Sequence, residues 1–200
     1  RDRLRSRGLG DVYKRQVQKQ QYITDKTYPY WIIYRDDFFD DISKRLDFNK
    51  FTVFRDRQIT NTNTTQDNKG NCLRVIKSRN ISDDGKEIID IPGYDSYIKK
   101  DTVESLSAYK FVGNRNVYLT PNMTYKPRVM RNVGNAVVNG SVAVLIPREN
   151  IELTEEQMEY FSSDEYRKFY RIARNYQTRS LNVDATSVFF YGVLRGQRNG

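Results

Sequence analysis

The chain has 200 residues, of which 38% are hydrophobic and 30% charged, a balance typical of one globular domain with a single core. It has no histidine and one cysteine, which excludes a Ser-His-Asp hydrolase, a Cys/His zinc module and an internal disulfide. No apolar run reaches the roughly 18–20 residues that cross a bilayer, and no signal-peptide core is visible, so we expect a cytoplasmic protein without membrane contact.

The formal net charge of +9 favours a polyanionic partner, although the beginning of the chain inflates it. Residues 1–16 carry six basic and two acidic residues, so the rest of the chain has a net charge of +5. They lack apolar periodicity and resemble translated sequencing-adapter read-through, so we expect them to be an artefact and disordered. We expect residues 17–47 to be a linker or the end of a preceding domain, and 48–200 to form the functional domain.

The first elements alternate between strand and helix. Residues 28–34 and 51–55 are rich in aromatic and β-branched residues and predict strands. Between them, apolar and acidic residues recur at helical spacing and predict an amphipathic helix over 36–46. The acidic residues could bind a divalent metal, but a solvated helix face explains them better, because no further ligand group lies at a defined spacing.

The middle of the chain predicts short strands joined by polar turns. Residues 59–71 form a polar loop, and 73–76 and 88–91 predict short strands. A capping-box pattern that begins at Asp101 predicts a helix over 101–110.

The next segment is the richest in strand-forming residues and predicts four strands: 117–120, 128–130, 136–138 and 141–146. Asn139 and Gly140 separate the last two. Because both residues accept positive φ, this pair is a strong signal for a β-hairpin.

The remaining sequence predicts two helices and a final strand. Thr154 with Gln157, and Ser162 with Glu165, have capping-box spacing. One apolar helix face consists of Tyr166, Phe169, Tyr170, Ala173 and Tyr176. Residues 187–194 predict the final strand. The whole pattern predicts an α/β (α+β) fold with a mixed, largely antiparallel sheet, hairpins and a C-terminal helical segment.

Three groups of side chains are candidates for contact with nucleic acid. The first is a row on the second predicted helix, where Arg167, Arg171 and Arg174 share one face. Lys168 lies beside them, and Arg179 follows in a polar turn. Such a row can hold several phosphates by charge-assisted bonds, and the alternative is a solvated basic face paired with neighbouring glutamates.

The second group lies in loops between predicted strands: Asn114, Arg115, Asn122, Lys126, Arg128 and Arg131. Asn and Arg read adenine and guanine edges in the major groove, although turn chemistry explains part of the asparagine content. The third group lies at strand ends: Arg55, Arg57, Arg74, Lys77 and Arg79. The fifteen tyrosines could stack on exposed bases, but we expect most of them in the core or at its rim.

With these residues in view, the chain from about 48 to 194 resembles the C-terminal half of adenine-N6 DNA methyltransferases from type II restriction–modification systems. The similarity is greatest to the group whose partner endonucleases cut outside an asymmetric site. It is carried by 49–60 (NKFTVFRDRQIT), 73–81 (LRVIKSRNI), 118–129 (YLTPNMTYKPRV), 138–147 (VNGSVAVLIP), 160–170 (YFSSDEYRKFY) and 179–182 (RSLN).

The resemblance implies a target-recognition domain that grips double-stranded DNA while a separate N-terminal domain flips out the adenine. It also implies that S-adenosylmethionine is bound by that missing methyltransferase domain, and that a cognate restriction endonuclease is a further partner. The sequence contains no Pro-Pro pair and no Gly-x-Gly after a predicted strand, so we expect this chain alone to be inactive. A non-enzymatic phage or bacterial structural or interaction domain is the alternative.

Overall fold

The structure, a computed structural model, describes residues 25–177 and 180–196. Both the expected artefact at 1–16 and the candidate contact Arg179 lie outside this range. The helices are α1 (Asp37–Arg45), α2 (Lys100–Val103), α3 (Glu155–Phe161) and α4 (Asp164–Ala173). Short 3-10 helices span Ser78–Asn80, Ser107–Phe111 and Ser187–Phe190. The strands are β1 (Leu46–Asp47), β2 (Phe51–Arg55), β3 (Cys72–Ile76), β4 (Ser96–Lys99), β5 (Tyr118–Pro121), β6 (Met123–Thr124), β7 (Met130–Arg131), β8 (Ala136–Val138), β9 (Val142–Pro147), β10 (Leu181–Asn182) and β11 (Val193–Leu194).

The strands form one four-stranded sheet in the order β2-β9-β5-β7 and one three-stranded sheet in the order β4-β3-β8. Two short ladders, β1–β11 and β10–β6, complete the pairing. In the part of the chain that the structure describes, β3 and β8 are parallel and the other pairs are antiparallel. The predicted α+β fold with largely antiparallel strands is therefore confirmed. None of the helices in this part is long and apolar enough to cross a membrane.

The four-stranded sheet is covered on both faces, because alternate residues of its strands enter different cores. In β9, Ala143 and Leu145 belong to the main core together with residues of α1 and α4. Val142 and Val144 belong to a second core that includes residues of β3 and β8. Val75 belongs to a third cluster on the opposite face of the three-stranded sheet. The order of layers is therefore helices, four-stranded sheet, three-stranded sheet.

The predicted apolar face of α4 is confirmed for four residues, which are all buried: Tyr166, Phe169, Tyr170 and Ala173. The fifth residue, Tyr176, is exposed because the helix ends at Ala173 and the chain then turns. Asn175 and Tyr176 both adopt the left-handed conformation, with φ of 54° and 51°. Phe39 of α1 stacks on Phe169, with 4.8 Å between ring centroids.

Residues 25–47, expected as a linker or the end of a preceding domain, contribute to the same core as the rest of the chain. The helix predicted at 36–46 is α1, and the side chain of Asp36 caps it by accepting a bond from the Phe39 N–H at 2.8 Å. Residues 28–34 do not form the predicted strand. No neighbouring strand pairs with them in the described structure. Tyr28 and Tyr30 pack against the main core instead, whereas Trp31 and Tyr34 are exposed.

Asn139 and Gly140 do not close the predicted hairpin. Strand β8 pairs with β3, whereas β9 pairs with β2 and β5, so the turn carries the chain from one sheet to the other. The N–H of Val142 donates to the Asn139 oxygen at 3.0 Å, which closes a four-residue turn. The predicted turn is present, but its strands find partners elsewhere in the chain.

Two predicted elements in the middle of the chain are shorter than expected. Residues 101–110 divide into α2 and a separate 3-10 helix, and Lys99 rather than Asp101 precedes α2 as the N-cap. The predicted strand at 88–91 reduces to a single bridge between Ile88 and Ile81. The residues directly before Ile81 form the 3-10 helix Ser78–Asn80, so no extended segment continues the ladder.

Two predictions near the end of the described chain are also corrected. Ser163 rather than Ser162 caps α4, because its hydroxyl accepts a hydrogen bond from the Tyr166 N–H in the first turn at 3.0 Å. Residues 187–194 form a 3-10 helix followed by β11, since Asp184 accepts backbone N–H groups at 3.0 and 2.7 Å and starts a turn. Thr154 caps α3 as predicted.

Replacing Gly140 by alanine should destabilise the fold, because an added Cβ would lie 2.6 Å from the backbone oxygen of Asp56. Overpacking of this kind costs about 1–3 kcal/mol of unfolding free energy. Gly134→Ala is the matched control, because a Cβ there meets no atom within 4 Å, and it should cost less than about 0.5 kcal/mol. Urea denaturation measures both values. Equal stability of the two variants would contradict the close approach at Gly140.

Candidate nucleic-acid interface

Several strands end at the same edge of the four-stranded sheet. Strands β2 and β5 both run antiparallel to β9, and Arg55 and Thr120 both lie opposite Ala143. Strands β3 and β8 are parallel, and β8 leads directly into β9 through the turn at 139–141. The loops that follow β2, β3 and β5 therefore meet around this turn.

Hydrogen bonds join the turn to two of these loops, and a close backbone contact joins it to the third. The Ser78 N–H donates to the Ser141 hydroxyl at 3.0 Å, and the Asn122 N–H donates to the Ser141 backbone oxygen at 2.8 Å. Gly140 lies directly against the backbone of Asp56. We name this region the loop edge, and it comprises residues 55–58, 77–81, 121–128 and 139–141.

Cationic side chains project from all three loops of the loop edge. Arg57, Arg79 and Lys126 are exposed, and none of them forms an ion pair with another described residue. Arg79 lies over the ring of Tyr94, 4.7 Å from its centroid. Arg55, at the end of β2, is half-buried. The three exposed cations were all predicted as contacts, and the structure brings them to one edge.

Two other predicted contacts, one within the loop edge and one just before it, are half-buried and bonded internally. Arg74 pairs with Asp90 at 2.6 Å and with Asp95 at 3.2 Å. Lys77 donates to the backbone oxygen of Tyr94 and lies 4.0 Å from the centroid of its ring. Burial lowers the pKa of Lys77. Both side chains hold the loop after β3 in place.

Strand β5 divides the second predicted group. Three of its members lie beyond the C-terminal end of β5, on the loop edge: Asn122, Lys126 and Arg128. The other three lie towards its N-terminal end: Asn114, Arg115 and Arg131. At about 3.3 Å per residue, the four residues of β5 separate the two sets by about 10 Å. Arg131 pairs with Glu152 at 2.9 Å, whereas Arg115 is exposed.

Asn122 and Arg128, predicted as readers of base edges, are buried. The Asn122 side chain donates to the Gly140 oxygen at 3.2 Å. The Arg128 guanidinium donates to the backbone oxygens of Ser78 and Ile81 at 3.2 and 3.1 Å. Burial lowers the pKa of Arg128. Contact of either side chain with a base would require these internal bonds to break, so both residues support the loop edge from within.

The arginine row on α4 is divided as well. Lys168 and Arg171 are exposed, and they lie 3.9 and 5.4 Å from the centroids of neighbouring aromatic rings. Arg167 pairs with Asp164 at 3.1 Å. The exposed part of the predicted row therefore consists of two cations, and a third carries a local ion pair.

Arg174 directly follows α4 as its C-cap and binds the chain further on. Its guanidinium lies 2.9 Å from a carboxylate oxygen of Asp184 and donates to the Asn182 side chain at 2.7 Å. Burial alone would raise the pKa of Asp184. Hydrogen bonds from Ser187 and the positive charge of Arg174 outweigh this effect, so the pKa is lowered. Asn182 pairs with Met123 in the β6–β10 ladder, so Arg174 connects α4 to the loop edge.

No protein-family model matches this chain, and no curated protein is significantly similar to it. Across 25–177 and 180–196, no three His, Cys, Asp or Glu side chains are grouped so that they could hold a metal ion. The loops after β2, β3 and β5, described in full, have no glycine in their first three residues. A glycine-rich turn of the kind that holds S-adenosylmethionine is therefore not found at the start of these three described loops.

Arg174→Ala should lower the free energy of unfolding by about 1.5–3 kcal/mol, because Asp184 and Asn182 lose charge-assisted bonds in a half-buried position. Arg171→Ala is the matched control on the same helix. Its side chain is exposed, so the change should be within about 0.5 kcal/mol. Denaturation with urea distinguishes the two, and the opposite ranking would contradict the structural role of Arg174.

Proposed function

We propose that this chain binds double-stranded DNA through the loop edge, as the recognition part of a site-specific adenine-N6 DNA methyltransferase of a restriction–modification system. One observation carries the proposal: Arg57, Arg79 and Lys126 come from three separate strand ends and converge at one edge without carboxylate partners among the described residues. Unpaired cations at fixed positions are what phosphate binding requires.

The scaffold supports this use of the loop edge. Each exposed cation follows a paired strand, and the turn at 139–141 contacts all three loops. The backbone of the binding surface is therefore ordered before any ligand arrives. Preorganisation of this kind reduces the conformational entropy that binding must overcome.

The resemblance to methyltransferases falls on the same residues. The stretch 49–60 contains Arg57, 73–81 contains Arg79, and 118–129 contains Lys126. The stretch 138–147 contains the turn that joins them. In this proposal the chain binds DNA, and the missing N-terminal domain binds S-adenosylmethionine and transfers the methyl group.

A structural or interaction domain is the second candidate, and one surface feature favours it. An exposed apolar group lies beside the end of α4 and consists of Trp31, Ile33, Tyr34 and Tyr176. The rings of Tyr34 and Tyr176 are 5.3 Å apart, and Asn175 bonds the backbone of Trp31 and Ile33 at 2.9 and 2.6 Å. A protein partner would contact this group rather than the loop edge.

Replacing Arg57, Arg79 and Lys126 together by glutamine should weaken binding to duplexes of any sequence. Because each phosphate contact contributes about 0.9 to the slope of log K against log salt, the slope should become shallower by up to about 3. Fluorescence anisotropy with a labelled duplex, measured between about 50 and about 200 mM salt, gives this slope.

The matched control replaces Arg167, Lys168 and Arg171 by glutamine, which removes the same charge from α4. We expect a smaller loss of affinity and a nearly unchanged slope. An absence of salt-dependent binding by the unaltered chain would contradict DNA binding. Equal losses in the two triple variants would contradict the assignment of the interface to the loop edge.

A further inference from the structure

The 123–127 loop, which begins with the short strand β6, is the most exposed apolar part of the loop edge. Tyr125 has 71% of its surface exposed and Met123 has 65%, and the exposed cation Lys126 follows directly. Sequence reasoning did not single out either apolar residue as a contact. Single exposed apolar residues are common on protein surfaces, so exposure alone would carry no conclusion.

What distinguishes this loop is how firmly its backbone is held. Strand β6 pairs with β10, and Pro121 and Pro127 fix φ on either side. The Thr124 hydroxyl donates to the Lys126 backbone oxygen at 2.8 Å and accepts from its N–H at 3.2 Å. The exposed side chains are therefore presented from a rigid support.

Arg128 binds the inner side of the same loop. Its guanidinium donates to the Thr124 hydroxyl at 3.0 Å and to the Lys126 backbone oxygen at 3.1 Å. The same group donates to the backbone oxygens of Ser78 and Ile81. One buried side chain thus fixes the 123–127 loop to the loop after β3, which carries the exposed Arg79.

Resting on the proposed DNA-binding function, we infer that the 123–127 loop is a rigid wedge whose Tyr125 ring stacks on an unpaired base of bound DNA, and that Arg128 is its positioning residue. An aromatic ring stacks on any base, and Met is among the apolar residues that enter between base steps. Lys126 within the wedge and Arg79 in the adjoining loop would hold the flanking phosphates. The ligand is therefore duplex DNA with a locally open base pair or an extrahelical base.

The test compares the affinities for two labelled duplexes of one sequence, fully paired or with a single-base bulge. The unaltered chain should prefer the bulged duplex at least about fivefold, the lower range for base–aromatic stacking. Tyr125→Ala should abolish this preference, whereas Tyr125→Phe should keep it. Tyr125 makes no hydrogen bond or ion pair with another described residue, so both variants should fold. Lys126→Gln should weaken both affinities and leave their ratio unchanged.

The positioning role of Arg128 needs a variant that spares the fold. Arg128→Lys removes the guanidinium that bonds both loops, but the loss of these buried hydrogen bonds could unfold the chain. Thr124→Val removes only the hydroxyl that Arg128 and Lys126 bind. It should lower the ratio of bulged to paired affinity while the affinity for the paired duplex stays within about twofold, since the exposed cations that contact phosphates are unchanged. A general loss of stability would lower both affinities together.

The outcomes separate this inference from the proposed function. If the unaltered chain binds neither duplex, both the DNA-binding function and the wedge are rejected. If it binds both duplexes equally, or if Tyr125→Ala retains the preference, DNA binding stands and the wedge is rejected. A Thr124→Val variant that keeps the preference rejects the positioning role of Arg128, which binds the loop through this hydroxyl. A base analogue such as 2-aminopurine in the bulge should lose fluorescence on binding to the unaltered chain and not to Tyr125→Ala.

Discussion

The close approach of Gly140 to the backbone of Asp56 is the contact on which the arrangement of the loops depends. A side chain at position 140 would begin 2.6 Å from the Asp56 oxygen, so only glycine lets the two segments touch. The contact places the crossing between the two sheets against the end of β2. The loops after β3 and β5 then bond to the next residue, Ser141. One small residue thus sets the distance between three loops that are far apart in the sequence.

The helical layer supports the same edge from the other side of the sheet. Tyr170 is fully buried in the main core, and its hydroxyl donates to the Asn182 backbone oxygen at 2.9 Å. Arg174 holds the side chain of the same asparagine. Since β10 pairs with β6, two residues of α4 fix the strand that borders the exposed loop. The aromatic core therefore determines where the loop edge lies, although it contributes no exposed residue to it.

Local patterns in the sequence predicted most elements, because each is decided by neighbouring residues. The helix at 36–46 and the strands at 51–55 and 73–76 are confirmed to within one residue at each end. Which strands pair with each other was harder to predict from the sequence. Asn139 and Gly140 do form a turn, but the partners of β9 are strands that begin at Phe51 and Tyr118. Contacts between such distant residues leave no signal in the local sequence. The same holds for residues 28–34, which pack in part against the main core and pair with no described strand.

In the candidate site, too, the sequence predicted the types of residue but not the directions in which their side chains point. The sequence identified a surplus of arginine, lysine and asparagine near strand ends, and Arg57, Arg79 and Lys126 do point outward. It could not distinguish them from Arg128 and Asn122, which have the same composition signal but point inward. Direction depends on which carbonyl groups come within reach after the sheets assemble. Only three-dimensional packing supplies that information.

The buried guanidinium of Arg128 also limits which changes of sequence the loop edge can accept. Because one side chain bonds four groups in two loops, an insertion in either loop would leave several polar groups unsatisfied at once. Exchange of the outward residues at 57, 79, 125 and 126 disturbs none of these bonds. Under the proposed function, a lineage that acquires a new target is therefore expected to change side chains at those positions and to conserve the loop lengths.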